Sequence, residues 1–135
     1  MFKALENAYE YAPLPLRIGL AALFLTTGIM KAMDIESTAG FMGSLGFPAP
    51  MAVAIIVMAV EIIGGAFLLL GFLTRISATA LTILLIVALV SAYLMNYDPS
   101  KLVDVMKHLA WIGATIGLML FGPGKLSVDE KLYWE

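Results

Sequence analysis

Polar and apolar positions along this chain fall into long blocks rather than an alternation. Four apolar runs stand out, at residues 14–33, 51–72, 76–97 and 105–121. Helix breakers bound them. Pro13 and Pro15 open the first, and Pro48 and Pro50 precede the second. Asn96-Tyr97-Asp98-Pro99 closes the third, and Gly122-Pro123-Gly124 stops the fourth. A helix needs about 17–25 mostly apolar residues to cross hydrocarbon, and each run supplies them. Lipid cannot satisfy backbone N–H and C=O groups, so each run is predicted to be helical. The expected fold is all-α: a polytopic membrane protein, one domain over residues 1–135, forming a four-transmembrane-helix bundle.

The polar interruptions carry their own signals. Residues 34–50, "DIESTAGFMGSLGFPAP", are too few and too polar to span a bilayer. Ser37 is placed to cap a short helix there, with Phe41, Leu45 and Phe47 on its apolar side. An interfacial or re-entrant segment over the bundle mouth is expected; its glycines make a plain loop the alternative. The polar tail after Gly124 is expected on the membrane surface. The first run continues to Lys31 and Asp34 without a small-x-small cleavage site, so it reads as a retained helix rather than a signal peptide. No internal repeat is evident.

Composition agrees with lipid as the solvent. The chain is 61% hydrophobic and only 13% charged, with a mean hydropathy of +0.97; ordinary soluble domains are roughly a quarter charged. A net charge of −2 with no basic block points away from nucleic acid. Having no cysteine, the chain offers no disulfide, thiol catalyst, zinc–thiolate or iron–sulfur ligand. Four spans put both termini on one side, with Lys3, Arg17, Arg75, Lys125 and Lys131. The other side holds Lys31, Lys101 and Lys107. The positive-inside rule then places the termini in the cytoplasm and the second group outside.

Glu61 is the conspicuous exception within these runs. It lies near the middle of the second, where an ionised, unpaired side chain costs at least about 2.5–3.5 kcal/mol on insertion scales for other charged residues. It must be protonated, paired or wetted. Gly64 and Gly65 follow at i+3 and i+4, so that face is expected against another helix. Lys31 reaches Glu61 if it turns inward, and Thr26, Thr27 and Thr115 offer neutral hydrogen bonds nearby. Tyr93, Asn96, Tyr97 and His108 end or begin their helices on the same side and are expected to converge in that half of the bundle. Glu61 is thus either a polar clasp fixing helix register or a proton-handling carboxylate in a binding site.

Other residues have plainer readings. His108 is the only histidine and suits an interfacial position; alone it cannot form a bis-His haem site, and no metal site is expected. The nine methionines are read as packing. Tyr9, Tyr11, Trp111, Tyr133 and Trp134 read as interfacial anchors at least as readily as a ring-stacking box. Gly113-x-x-x-Gly117 is expected to pack within the chain rather than against a second subunit, and anchoring accounts for Arg17 and Arg75, with a joint anion site as the alternative.

Several ordered elements resemble the DoxX family of small four-helix membrane proteins. On the first helix these are Arg17 and Gly28-x-x-Lys31. The second helix is entered by Gly46-Phe47-Pro48-Ala49-Pro50 and carries Glu61-x-x-Gly64-Gly65, Gly71 and Thr74-Arg75. Gly122-Pro123-Gly124-Lys125-Leu126-Ser127-Val128-Asp129 completes the set. The resemblance implies a bacterial or archaeal inner-membrane protein. Its relatives include a subunit of a thiosulfate:quinone oxidoreductase and proteins linked to quinone, catechol or redox-stress metabolism. Membership does not by itself make the chain an enzyme.

Three functions compete. The first is a redox-associated membrane component binding a quinone or related aromatic lipid. Its candidate proton-handling residue is Glu61, and its candidate ligand-binding residues are Lys31, Glu61, Tyr93, Asn96 and His108. The second is a non-catalytic anchor or scaffold that docks a soluble oxidoreductase partner through residues 34–50 or the tail. The third, a small transporter, would require a homo-oligomer because four helices are few.

Overall fold

A computed structural model describes residues 1–133 of the chain. Trp134 and the side chain of Tyr133, both read above as anchors, lie outside that description. A short helix, α1 (Phe2–Ala8), and a 3-10 turn precede the first span, α2 (Pro13–Met33). The helix α3 (Ile35–Ser44) follows, then the spans α4 (Pro50–Leu70), α5 (Thr74–Leu89) and α6 (Leu102–Phe121), and a closing helix α7 (Val128–Tyr133). A π turn, Val90–Leu94, extends α5, and a 3-10 turn, Pro99–Lys101, leads into α6. The four spans are long and apolar enough to cross a membrane. The fold is the expected all-helical bundle.

The boundaries follow local chemistry. Prolines stand in the first turns of α2 and α4, where a missing N–H costs nothing. Gly71, at φ +68°, ends α4: its N–H bonds Leu68 O at 3.2 Å and Phe72 N–H bonds Phe67 O at 2.9 Å. This is a Schellman ending. The third span stops at Leu94 rather than Tyr97, and the fourth begins earlier than residue 105. The reason is Asp98, whose carboxylate accepts from Ser100 N–H at 2.9 Å and starts a new turn at Pro99. Asp34, not Ser37, caps α3, accepting from Ser37 N–H at 3.0 Å. Ser37 lies three residues too far along and supplies the donor instead.

Around the bundle the spans run α2, α4, α5, α6 and back to α2. Small residues set the closest approaches. A Cβ on Gly28 would lie 2.7 Å from Ile62 Cγ1, one on Gly65 3.1 Å from Leu25 Cγ, and one on Gly64 3.1 Å from Leu81. The face carrying Gly64 and Gly65 therefore meets neighbouring helices, as the pattern around Glu61 required. Between α5 and α6, Thr82 Oγ1 donates to Thr115 Oγ1 at 2.8 Å. Gly113 and Gly117, in contrast, face open space, with no atom within 4 Å of an added Cβ. They do not pack within the chain, because α6 turns Thr115 and Leu118 inward instead.

The end carrying the termini is closed by a polar plug. Arg17 is buried, and its guanidinium donates to Leu68 O at 2.9 Å, Leu69 O and Pro123 O at 3.1 Å, and Leu126 O at 3.3 Å. Reading Arg17 as a surface anchor is therefore incorrect: its five-donor fork reaches carbonyls at the end of α4 and in the tail, of which Leu68 O also accepts from Gly71 N–H. The tail also does more than lie on the surface. Asp129 folds back, accepting from Leu73 N–H at 2.8 Å and Thr74 N–H at 2.9 Å, while its own N–H bonds Gly71 O. Asp129 thereby caps α5 and holds Leu73 at φ +45°.

Candidate functional site

At the opposite end the bundle is hollow. A cavity of about 660 Å³ lies among the second half of α2, the first half of α4, the end of α5 and the start of α6. α3 covers its mouth. Ala39 and Met42 of α3 pack on Ala54, with Phe47, Val53 and Val57 around them. Phe41, 53% exposed, and Leu45 reach the cavity from the same segment. The apolar side of α3 thus includes two residues, Ala39 and Met42, beyond those the aromatic pattern suggested.

Glu61 stands on the wall of this cavity, paired with Lys31. Lys31 Nζ donates to Glu61 Oε2 at 2.8 Å and to Oε1 at 3.0 Å. The glutamate side chain is 7% exposed and the lysine 25%. Lys31 turns inward because Gly28, one turn earlier on the same face of α2, brings the backbones of α2 and α4 together. The neutral alternatives are otherwise engaged. Thr27 bonds Phe24 O at 3.3 Å, Thr115 bonds Thr82, and Thr26 points out of the bundle.

Three rings form the facing wall. His108 packs at a tilt between Tyr93 and Trp111, 5.0 Å from each ring centroid and with its plane 55° and 56° from theirs. The His108 Nδ1 lies 2.9 Å from Asp104 O. A carbonyl only accepts, so Nδ1 carries a proton and, in the neutral ring, Nε2 keeps its lone pair. Tyr93 belongs to the π turn Val90–Leu94, whose wider helical path carries its ring over to His108.

The structure brings Lys31, Glu61, Tyr93 and His108 around one cavity. Asn96 and Tyr97 sit apart, in the exposed turn after α5, because the helix ends before reaching them. Trp111 joins the site, correcting its reading as an anchor. It lies mid-span, three residues after His108, and that i+3 spacing put it on the same helical face. Tyr9 and Tyr11 are exposed at the plugged end, where Lys125 Nζ lies 5.7 Å above the Tyr11 ring.

Four membrane-crossing helices around a cavity with an internal ion pair define a small polytopic membrane protein with an intramembrane polar site. The chain belongs to the DoxX family, whose profile matches residues 12–94. It is 28% identical over 124 residues to the inner membrane protein YphA of Escherichia coli, covering 85% of this chain and 86% of that one. It is 32% identical over 119 residues to the inner membrane protein YqjF of the same organism, covering 86% and 88%. A third relative is the Bacillus subtilis protein named "Putative oxidoreductase CatD", 32% identical over 90 residues, covering 67% of this chain and 66% of CatD. No solved structure matches the chain. With its four apolar spans, it is a multi-pass inner membrane protein.

Proposed function

We propose that this DoxX protein binds a quinone or a related redox-active aromatic lipid in the cavity and serves a membrane oxidoreductase system. The observation that carries the reading is the Lys31–Glu61 pair on the wall of an apolar cavity, facing the Tyr93–His108–Trp111 cluster. A buried ion pair is rarely the most stable way to fill a bundle core. Here it offers a hydrogen-bond donor and a carboxylate on the wall of an apolar cavity of about 660 Å³. Lys31 would hold a ligand oxygen, and Glu61 would exchange a proton with it. His108 Nε2, with its lone pair free, would accept from a ligand hydroxyl. The oxidoreductase name given to CatD lends support from a relative.

The test uses Trp111 as reporter. In a Trp134→Phe background it is the only tryptophan, and added decylubiquinone is expected to quench its fluorescence saturably. Lys31→Met and His108→Ala should each weaken that binding while the helical circular dichroism persists. Absence of saturable quenching, or binding that ignores both substitutions, would overturn the proposal. Co-purification of a soluble oxidoreductase without any bound quinone would favour the scaffold role instead.

A further inference from the structure

A second concavity, of about 880 Å³, lies at the plugged end of the bundle, away from the Lys31–Glu61 cavity. We propose that it holds a phospholipid whose headgroup carries a primary ammonium beside its phosphate, with the phosphate on Arg75 and the ammonium on Glu130 and Glu10.

The position is right for a headgroup. Thr74 begins a membrane span, so Arg75 sits at the rim of the hydrocarbon. Ile76 and Phe121, 65% and 73% exposed, continue the groove along the apolar part of the bundle, where an acyl chain would lie. The Arg75 guanidinium is seated against Gly122, where an added Cβ would come within 3.1 Å of Nη2. Among the described residues it has no ion pair and no hydrogen-bond acceptor. Arg75 is exposed, so its guanidinium donors are free to meet a phosphate at the bilayer rim. Independently, Thr74 borders the groove, and among the described residues its buried hydroxyl has no hydrogen-bond partner. Such groups are uncommon in native structures, and a Thr74 side chain turned toward the groove would find its acceptor in a phosphate oxygen.

The remaining charges choose the headgroup. Lys125 is already bound to Glu10, Nζ to Oε2 at 2.6 Å, and Asp129 is committed to the start of α5. Glu130 accepts from Leu126 N–H through Oε2, which leaves Oε1 for another donor. The lining thus holds the carboxylates of Glu10, Asp129 and Glu130 against the cations of Arg75 and Lys125. A purely anionic headgroup would meet an excess of like charge. A headgroup with both signs meets each in turn, and a primary ammonium, unlike a quaternary one, donates hydrogen bonds to the carboxylates.

Native mass spectrometry of the full chain, titrated separately with phosphatidylethanolamine, phosphatidylcholine and phosphatidylglycerol, tests this. The first lipid is expected to bind most tightly. Arg75→Gln should weaken it by about tenfold, the equivalent of about 1.4 kcal/mol. Glu130→Gln, which can still accept from Leu126, should erase its advantage over phosphatidylcholine. Thr74→Val loses no hydrogen bond within the protein from its side chain, so it should fold normally and still bind the lipid less well. Equal binding of the three lipids, a preference for phosphatidylglycerol, or retention unchanged in both Arg75→Gln and Thr74→Val would each overturn the assignment.

Discussion

Glu61 and Lys31 show how one contact reconciles a carboxylate with the middle of a membrane. Each neutralises the other, so removing one leaves a charge with no solvent to receive it. Lys31→Met is therefore expected to destabilise the protein by about 3–5 kcal/mol, whereas the double change Lys31→Met/Glu61→Gln should recover much of that loss. Thermal unfolding in detergent measures both, and simple additivity would deny that the pair acts as a unit. Arg17 obeys the same physics with different partners. Its charge is satisfied by carbonyls of α4 and the tail, so Arg17→Met should cost at least about 3 kcal/mol by removing the donor they share. Arg17→Lys should fall between, because a single ammonium cannot reach four carbonyls in a fixed plane. Equal stability of Arg17→Lys and the parent would show that charge alone matters there.

Between elements, the spacing of α2 and α4 decides whether the ion pair forms at all. Gly28 lies one turn before Lys31, and its missing side chain lets Ile62 and the Glu61 Cβ approach. Gly28→Ala is expected to push the helices apart at a cost of about 1–3 kcal/mol and to weaken quinone quenching of Trp111 as Lys31 withdraws. Unchanged unfolding and unchanged quenching would mean that the contact is slack. The turn between α5 and α6 has a pH signature. Hydrogen bonds from Ser100 hold the Asp98 carboxyl below the usual carboxylate range. A carboxylate with a depressed folded pKa stabilises above its unfolded value, and that contribution disappears as pH falls through the folded value. Acid unfolding of Asp98→Asn should accordingly lack this component when compared with the parent.

At the scale of the molecule, the two ends of the bundle are different objects. One is sealed by Arg17, Asp129 and the folded-back tail. The other is hollow and covered by α3. If the termini face the cytoplasm, as the distribution of Lys and Arg favours, the hollow end opens toward the outer leaflet. The chain has no cysteine, so an introduced one is its only thiol. A membrane-impermeant maleimide should label Lys101→Cys in intact cells and Lys3→Cys only after lysis. The reverse pattern would turn the molecule over and place the cavity mouth on the cytoplasmic side.

Much of this was legible along the chain. Four spans, their breakers, the short segment between the first two, and a helix contact beside Glu61 all follow from local rules: a lipid solvent dictates helices, and glycine spacing marks close approach. Those rules also narrowed the partner of Glu61 to Lys31 or the threonines Thr26, Thr27 and Thr115, because a mid-membrane carboxylate requires a partner and few are within reach. What local rules cannot supply is which way a side chain turns once helices pack. Arg17 has the same spacing and depth whether it anchors at the surface or binds carbonyls from residues 68 to 126, and only the folded tail distinguishes the two. Asn96 was separated from the site by an Asp98 turn that ends α5 early, while Trp111 was brought into it by the rotation of α6. The sequence determined how many helices cross the membrane and where a charge needs company. Tertiary structure decided the company, because the groups that meet lie 30 to over 100 residues apart and are brought together only by packing.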